Sequence, residues 1–335
     1  TLAAAGDISS GSGTVDVQAT AGALTMSDGA EIQTTAANVR LSAAASGKDV
    51  TLGLIDTRSS TGRAGVGDAD QSNWGLVSVI AGGSVLDADT SATDVYAKSL
   101  RLNAGAGVGV LGATPNALEV EVAKLSTVAS AGAVGLVDAT ALEVGTALAV
   151  SLSRVKTDGT LDSAMTDAAQ SGVSAANGSV VVTAASALSV TQAVTLTGTS
   201  TTGNVLLQGA DTGVSVTAAV TTAGGAVSVV AAAGDVVLAA AESVTLPTDL
   251  VKPQAPATAN TVSVRMSRRV RLELDPATVN TAVNNNGSGV IVTEGGQVLL
   301  QSAALSSAVA SVTQSGRIDT SATQAGAVTV LADGG

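Results

Sequence analysis

The chain has 335 residues with no His and no Cys, so any chemistry must come from carboxylates, Lys, Arg, Ser and Thr. Disulfides, thiolate metal sites and His-based triads or zinc centres are excluded. Acidic side chains gather in three short runs. These are "GVGDADQSN" with Asp68 and Asp70, "LDADTSATD" with Asp87, Asp89 and Asp94, and "DGTLDSAMTD" with Asp158, Asp162 and Asp167. Oxygen-rich loops of this kind can hold calcium. None has the EF-hand spacing or the "GGxGxD" nonapeptide, and the preferred reading is solvated loops. Paired carboxylates can also hydrolyse glycosides. Sugar sites usually add aromatic platforms, and this chain has one Trp, one Tyr and no Phe. No enzyme is expected, and no catalytic, cofactor-binding or metal-ligating residue is assigned.

Arg265, Arg268, Arg269 and Arg271 form the one basic concentration, in "TVSVRMSRRVRLELDP". An acidic partner surface could dock there. A solvated strand face, with Glu273 compensating Arg271, is preferred. Arg268 breaks the alternation, which predicts a bulge or a strand end. Trp74 precedes a strand, and packing is preferred over an interface role. The net charge of −12 argues against nucleic acid and against simple electrostatic docking on anionic lipid.

The elements that must position these residues are read from the apolar pattern. Apolar residues are 45% of the chain, drawn from Ala, Val, Leu and Ile, which predicts a narrow, elongated core. Apolar runs are interrupted, as at Asp138, Glu143 and Asp235, so no transmembrane helix is expected. No signal peptide stands at residue 1. A start at Thr1 and a stop at "VLADGG" read as a piece of something longer. Similar runs recur: "GSVVVTA" at Gly178, "GNVLLQG" at Gly203, "GVSVTAA" at Gly213, "GAVSVVA" at Gly225 and "GDVVLAA" at Gly234. Short strands every 9 to 12 residues and similar ones every 21 to 25 are the arithmetic of a solenoid with two or three strands per coil. Helix is the alternative, and period-2 alternation with β-branched Val and Thr argues against it.

Alternation assigns faces. Val227 and Val229 face in and Ser228 faces out. Val180 and Val182, Val205 and Leu207, Val236 and Leu238, Val77 and Val79, and Val328 and Val330 face in by the same register. Gly before a strand suits a positive-φ turn. Pro247, Pro253 and Pro256 mark 247–260 as a linker or an excursion. Val262, Val264, Met266, Val270, Leu272 and Leu274 share one parity, which predicts one long strand or a hairpin arm. The boundaries are then 1–246 β-helix repeats, 247–279 a Pro-rich linker with the Arg-rich strand or hairpin, and 280–335 further β-helix repeats. A subtler boundary falls near Thr157 to Gly172, which is acidic and less regular.

The segment from Asn280 to Gly335, with "VNNNGSG", "GGQVLL", "SGRID" and "GAVTVLADGG", resembles the filamentous-haemagglutinin-like exoproteins. "GKDVTLGLIDTR", "WGLVSVIAGGSVLDAD" and "VYAKSLRLNAGAGVG" are similar to blocks of giant bacterial β-strand-repeat surface proteins. Together these cover roughly half the chain. The resemblance implies an all-β, right-handed parallel β-helix, secreted to the bacterial cell surface and acting in adhesion, biofilm or surface structure. Its expected partners are other copies of itself in a fibre or sheet, and host or cell-surface glycan or protein. No cofactor is implied. The "NPNG"-type motif of two-partner secretion domains is missing, and "TPNAL" at Thr114 does not match it. A coil of about 22 residues gives on the order of 15 coils and roughly 70 Å of rod. A loop-based glycan- or calcium-binding surface module is the alternative, with a β-helix polysaccharide enzyme behind it.

Overall fold

The computed structural model describes residues 1–63, 71–162, 164–198, 203–222 and 225–238, with backbone alone at 61 and 62. Beyond these it describes the backbone of eight strands, from Val262–Met266 to Val328–Asp333. Asp68, Asp70, Arg268 and the Pro-rich stretch 247–260 lie outside the described residues.

The described chain is all-β, dominated by one long parallel sheet of 27 strands. Val and Thr crowd a helix at χ1 but stand well on a pleated surface, and glycines separate the runs. Among the described residues, helix is limited to the short turns Ser60–Arg63 and Gln71–Asn73, and no helix is long and apolar enough to cross a membrane.

Register is regular. Val180–Ala184 pairs with Val205–Gly209, then Ala226–Ala231, then Arg269–Leu274, then Gln297–Ala303. Each of these strands is the third one along the chain from the last. Leu188–Val190 and Val194–Leu196 obey the same rule with Gly213–Val216 and Val220–Thr221. One aligned column runs Leu24, Val50, Val85, Val108, Val134, Val180, Val205, Val227, Val270, Val298, Val328. Ten valines thus share one position on successive levels. At about 4.8 Å per level the column spans roughly 48 Å. That is shorter than the length expected from 22-residue coils, because the chain spends residues outside the ladder. From Val134 to its partner Val180, for example, it travels through the long insertion 145–172.

The face assignment holds wherever side chains are described. Val77, Val79, Val180, Val182, Val205, Leu207, Val227, Val229, Val236 and Leu238 are all buried, and Ser228 is half-exposed. Val328 and Val330 lie in a strand, with side chains outside the described residues. One continuous apolar cluster reaches from Val15 to Leu238.

The glycines are of two kinds. Gly178, Gly213 and Gly234 take the expected positive φ, at 145°, 99° and 77°. Gly203 and Gly225 do not; they are small because levels meet there. A Cβ on Gly203 would lie 2.5 Å from the Gly178 carbonyl oxygen, and one on Gly225 would lie 1.5 Å from that of Gly203.

The irregular region at 157–172 is part of a larger insertion. The Gly172 N–H donates to the Gly145 carbonyl at 2.9 Å and closes its base. Within it Thr146–Ala147 pairs antiparallel with Gln170–Ser171, and Val150–Leu152 with Met165–Asp167. This hairpin lies against the outer face of earlier strands. Arg40 on Val39–Ala43 meets Asp16 at 3.1 Å and Asp167 at 3.0 Å. Ser78 Oγ donates to Asp167 Oδ2 at 2.7 Å, and Arg101 Nε to the Ala168 carbonyl at 3.0 Å. Ser78, outward by alternation, is therefore buried, and Val39–Ala43 is buried along its whole length.

The Arg-rich segment is two strands, Val262–Met266 and Arg269–Leu274, instead of one long strand. Both pair parallel with the ladder, Val262 with Gly289 and Val270 with Val227.

Candidate functional site

The chain's two aromatic rings meet each other. Trp74 is buried, its ring centroid 6.1 Å from that of Tyr96 at 72°. The Arg58 guanidinium carbon stacks 3.8 Å from the Tyr96 ring centre, and Arg58 pairs with Asp56 at 2.8 Å. Trp74 is thus a packing residue, as expected, and these rings form no open platform.

The acidic runs separate in role. Asp158 is fully exposed and accepts from the Thr160 N–H and hydroxyl within a turn. Asp167 is not a solvated loop residue: it holds Arg40 and Ser78. Asp87 and Asp94 are brought together with a residue from the next level, Glu119. One carboxylate oxygen from each lies within 4.8 Å of the other two.

Local structure places all three. Asp87 ends the strand Val85–Asp87 and pairs in register with Leu52. Leu2, Met26 and Leu52 hold the same inward position on successive levels, so Asp87 stands where the pattern demands an apolar side chain. The turn that follows is tied by carboxylates. The Asp89 N–H donates to Asp87 Oδ1, and the Ser91 and Ala92 N–H groups to Asp89 Oδ1, each at 2.8 Å. These donors hold Asp89 below its ordinary range, that of Ser91 foremost. Asp94 begins the return. Its N–H donates to the Glu119 carbonyl at 2.8 Å, and its Oδ2 accepts from the Glu119 N–H at 2.9 Å. Glu119 lies 25 residues on, one level along the ladder.

Each of the three carboxylates keeps one oxygen without a donor. Asp87 Oδ2, Asp94 Oδ1 and Glu119 Oε2 are buried without a hydrogen-bond donor. Asp87 is 9% exposed and Asp94 1%. Among the described residues no Lys or Arg forms an ion pair with any of the three. Burial, reinforced by the Asp87 carboxylate, pushes Asp94 up to about 10. Burial and the charge on Asp87 push Glu119 up to about 6.

Asp138 is the contrasting case. It is fully buried and also takes an inward position, opposite Val120. Its Oδ2 accepts from the Val122 N–H at 2.9 Å, and its Oδ1 from the Thr140 N–H at 2.8 Å and the Thr140 hydroxyl at 3.1 Å. Burial still pushes it up to about 7 against these donors. It has a complete partner set from the protein, and the Asp87 corner does not. Chemically, that corner can hold a positive charge or share a proton.

Sequence reasoning singled out Asp87 and Asp94 but not Glu119. The repeat spacing carried the missing signal, because one repeat beyond Asp94 is Glu119. Comparison with protein-family models, curated proteins and solved structures gives no match for the chain.

Proposed function

We propose that the chain is a structural segment of a secreted bacterial surface fibre or giant adhesin, wound as a right-handed parallel β-helix. The observation that carries this reading is the pairing of strands with the third strand along the chain, in constant register. Three strands per turn of a solenoid have that connectivity, and parallel crossovers are almost always right-handed. Each coil then offers the next the same hydrogen-bonding edge, so length comes from repetition. The resemblance of "VNNNGSG", "GGQVLL" and "SGRID" to filamentous-haemagglutinin-like exoproteins supports the surface location. Small Ser, Thr and Ala residues on outward positions let rods lie side by side, so other copies are the expected partners, with host or cell-surface glycan or protein at the loops.

The test is light scattering with negative-stain electron microscopy of the 335-residue chain over a range of concentration and salt. Thin rods that associate end-on or side-by-side are expected. A compact particle overturns the solenoid, and a monomer that no condition assembles overturns the fibre.

A further inference from the structure

We infer that Asp87, Asp94 and Glu119 form a binding site for a hard divalent cation of calcium's size, bridging two successive levels of the sheet. Three features of the corner lead there. First, the donor set is oxygen only, which selects hard cations over zinc or copper. Second, one carboxylate oxygen from each residue lies within 4.8 Å of the other two, and each residue has one buried oxygen without a donor. Calcium binds oxygens at about 2.3–2.6 Å, so ligands on opposite sides of it stand about 5 Å apart. Magnesium, at about 2.0–2.1 Å, requires a tighter set. Third, these oxygens lack donors and counter-charge among the described residues. Asp87 and Asp94 are at least nine-tenths buried, each with an oxygen that nothing in the described protein satisfies, whereas Asp138 shows how this fold completes a buried carboxylate. Buried carboxylates left without a donor or a counter-charge are strongly disfavoured.

The hydrogen bonds around the corner pre-form it. Asp89 fastens the turn, and the backbone of Glu119 fixes Asp94 through both N–H and carbonyl. The second carboxylate oxygen of each Asp is engaged in this scaffold, which leaves one oxygen per Asp for a ligand. Backbone carbonyls and water would complete the six to eight oxygens usual for calcium. The competing occupant is a proton held between Asp87 and Asp94. The two readings differ in what happens when the charge is removed. This inference stands apart from whether the chain assembles into fibres.

The experiment uses the whole chain, stripped with chelator and dialysed at neutral pH. Calcium uptake is measured by equilibrium dialysis and thermal unfolding by circular dichroism, for wild type, E119Q and D94N. Terbium luminescence gives a second readout, because Tyr96, in the strand Val95–Ala104, lies two residues from Asp94. Wild type should take up one calcium per chain and unfold several degrees higher when calcium is in large excess over Kd. Magnesium should shift it less. E119Q should bind about tenfold or more weakly and D94N not at all. Without calcium E119Q should be at least as stable as wild type, because it removes a carboxylate with no counter-charge. Should D94N fail to fold, the half-buried Glu119 decides through E119Q. The inference is overturned if wild type takes up no stoichiometric calcium, if E119Q binds as wild type does, or if potassium chloride reproduces the shift.

Discussion

Two buried carboxylates, Asp87 and Asp138, take inward positions, and they differ in their donors. Asp138 keeps three, and burial still pushes it up to about 7 from an ordinary value near 4. Its folded-state value is raised, so between about pH 4 and pH 7 the folded chain holds a proton that the unfolded chain has released. Its contribution to stability is therefore full below about pH 4, falls as pH rises to about 7, and is flat above. D138N should remove this slope. It should also destabilise by about 1–3 kcal/mol at low pH, since an amide cannot accept from both the Val122 N–H and Thr140. Urea unfolding of both proteins from pH 4.5 to 8 checks this: the gap between them should narrow as pH rises. A constant gap would place the titration elsewhere.

At the scale of elements, stacking depends on positions with no side chain at all. Gly178, Gly203 and Gly225 occupy one position on three levels, and a methyl on Gly225 would meet the Gly203 carbonyl oxygen at 1.5 Å. G225A should therefore open the ladder there and lower the unfolding midpoint by many degrees. G159A is the control: Gly159 has a φ of 80° but open space around it, so only backbone strain of about 1 kcal/mol applies. Equal midpoints for the two variants would show that the levels do not press on each other at Gly225. The strands and their inward faces were legible in the sequence because alternation in runs such as "GAVSVVA" maps directly onto burial. The glycine column was legible as punctuation but not as contact, since close approach depends on register. The hairpin of 145–172 was visible only as irregularity. Its docking rests on single polar residues, Arg40, Ser78 and Asp167, each from a different strand and without a periodic signal. The acidic corner was half legible: Asp87 and Asp94 share one run, while Glu119 joins them only through the ladder.

For the whole molecule, the hairpin reaches four successive levels. Asp16, Arg40, Ser78 and Arg101 are aligned neighbours on the sheet. The hairpin touches this row through Asp167, Arg154 and the Ala168 carbonyl. This gives the molecule a mechanical character. Tension along the stacking direction pulls parallel strands apart level by level, like peeling tape. Each step should free the chain between aligned residues, such as Val205 to Val227, or roughly 80 Å of contour. The hairpin works as a rivet across this peeling path. Levels joined by it cannot yield singly, so they should hold until it detaches and then release together, in one event of roughly 300 Å from Asp16 to Arg101. Single-molecule pulling would show the large event among small ones. A chain lacking 146–171, rejoined where Gly145 and Gly172 already meet, should yield small steps alone. Unchanged force traces would mean the rivet carries no load. In the proposed surface filament, stretching would proceed in graded steps until it reached a fastened block, its limit set by the run of ion pairs Asp167–Arg40–Asp16–Arg154.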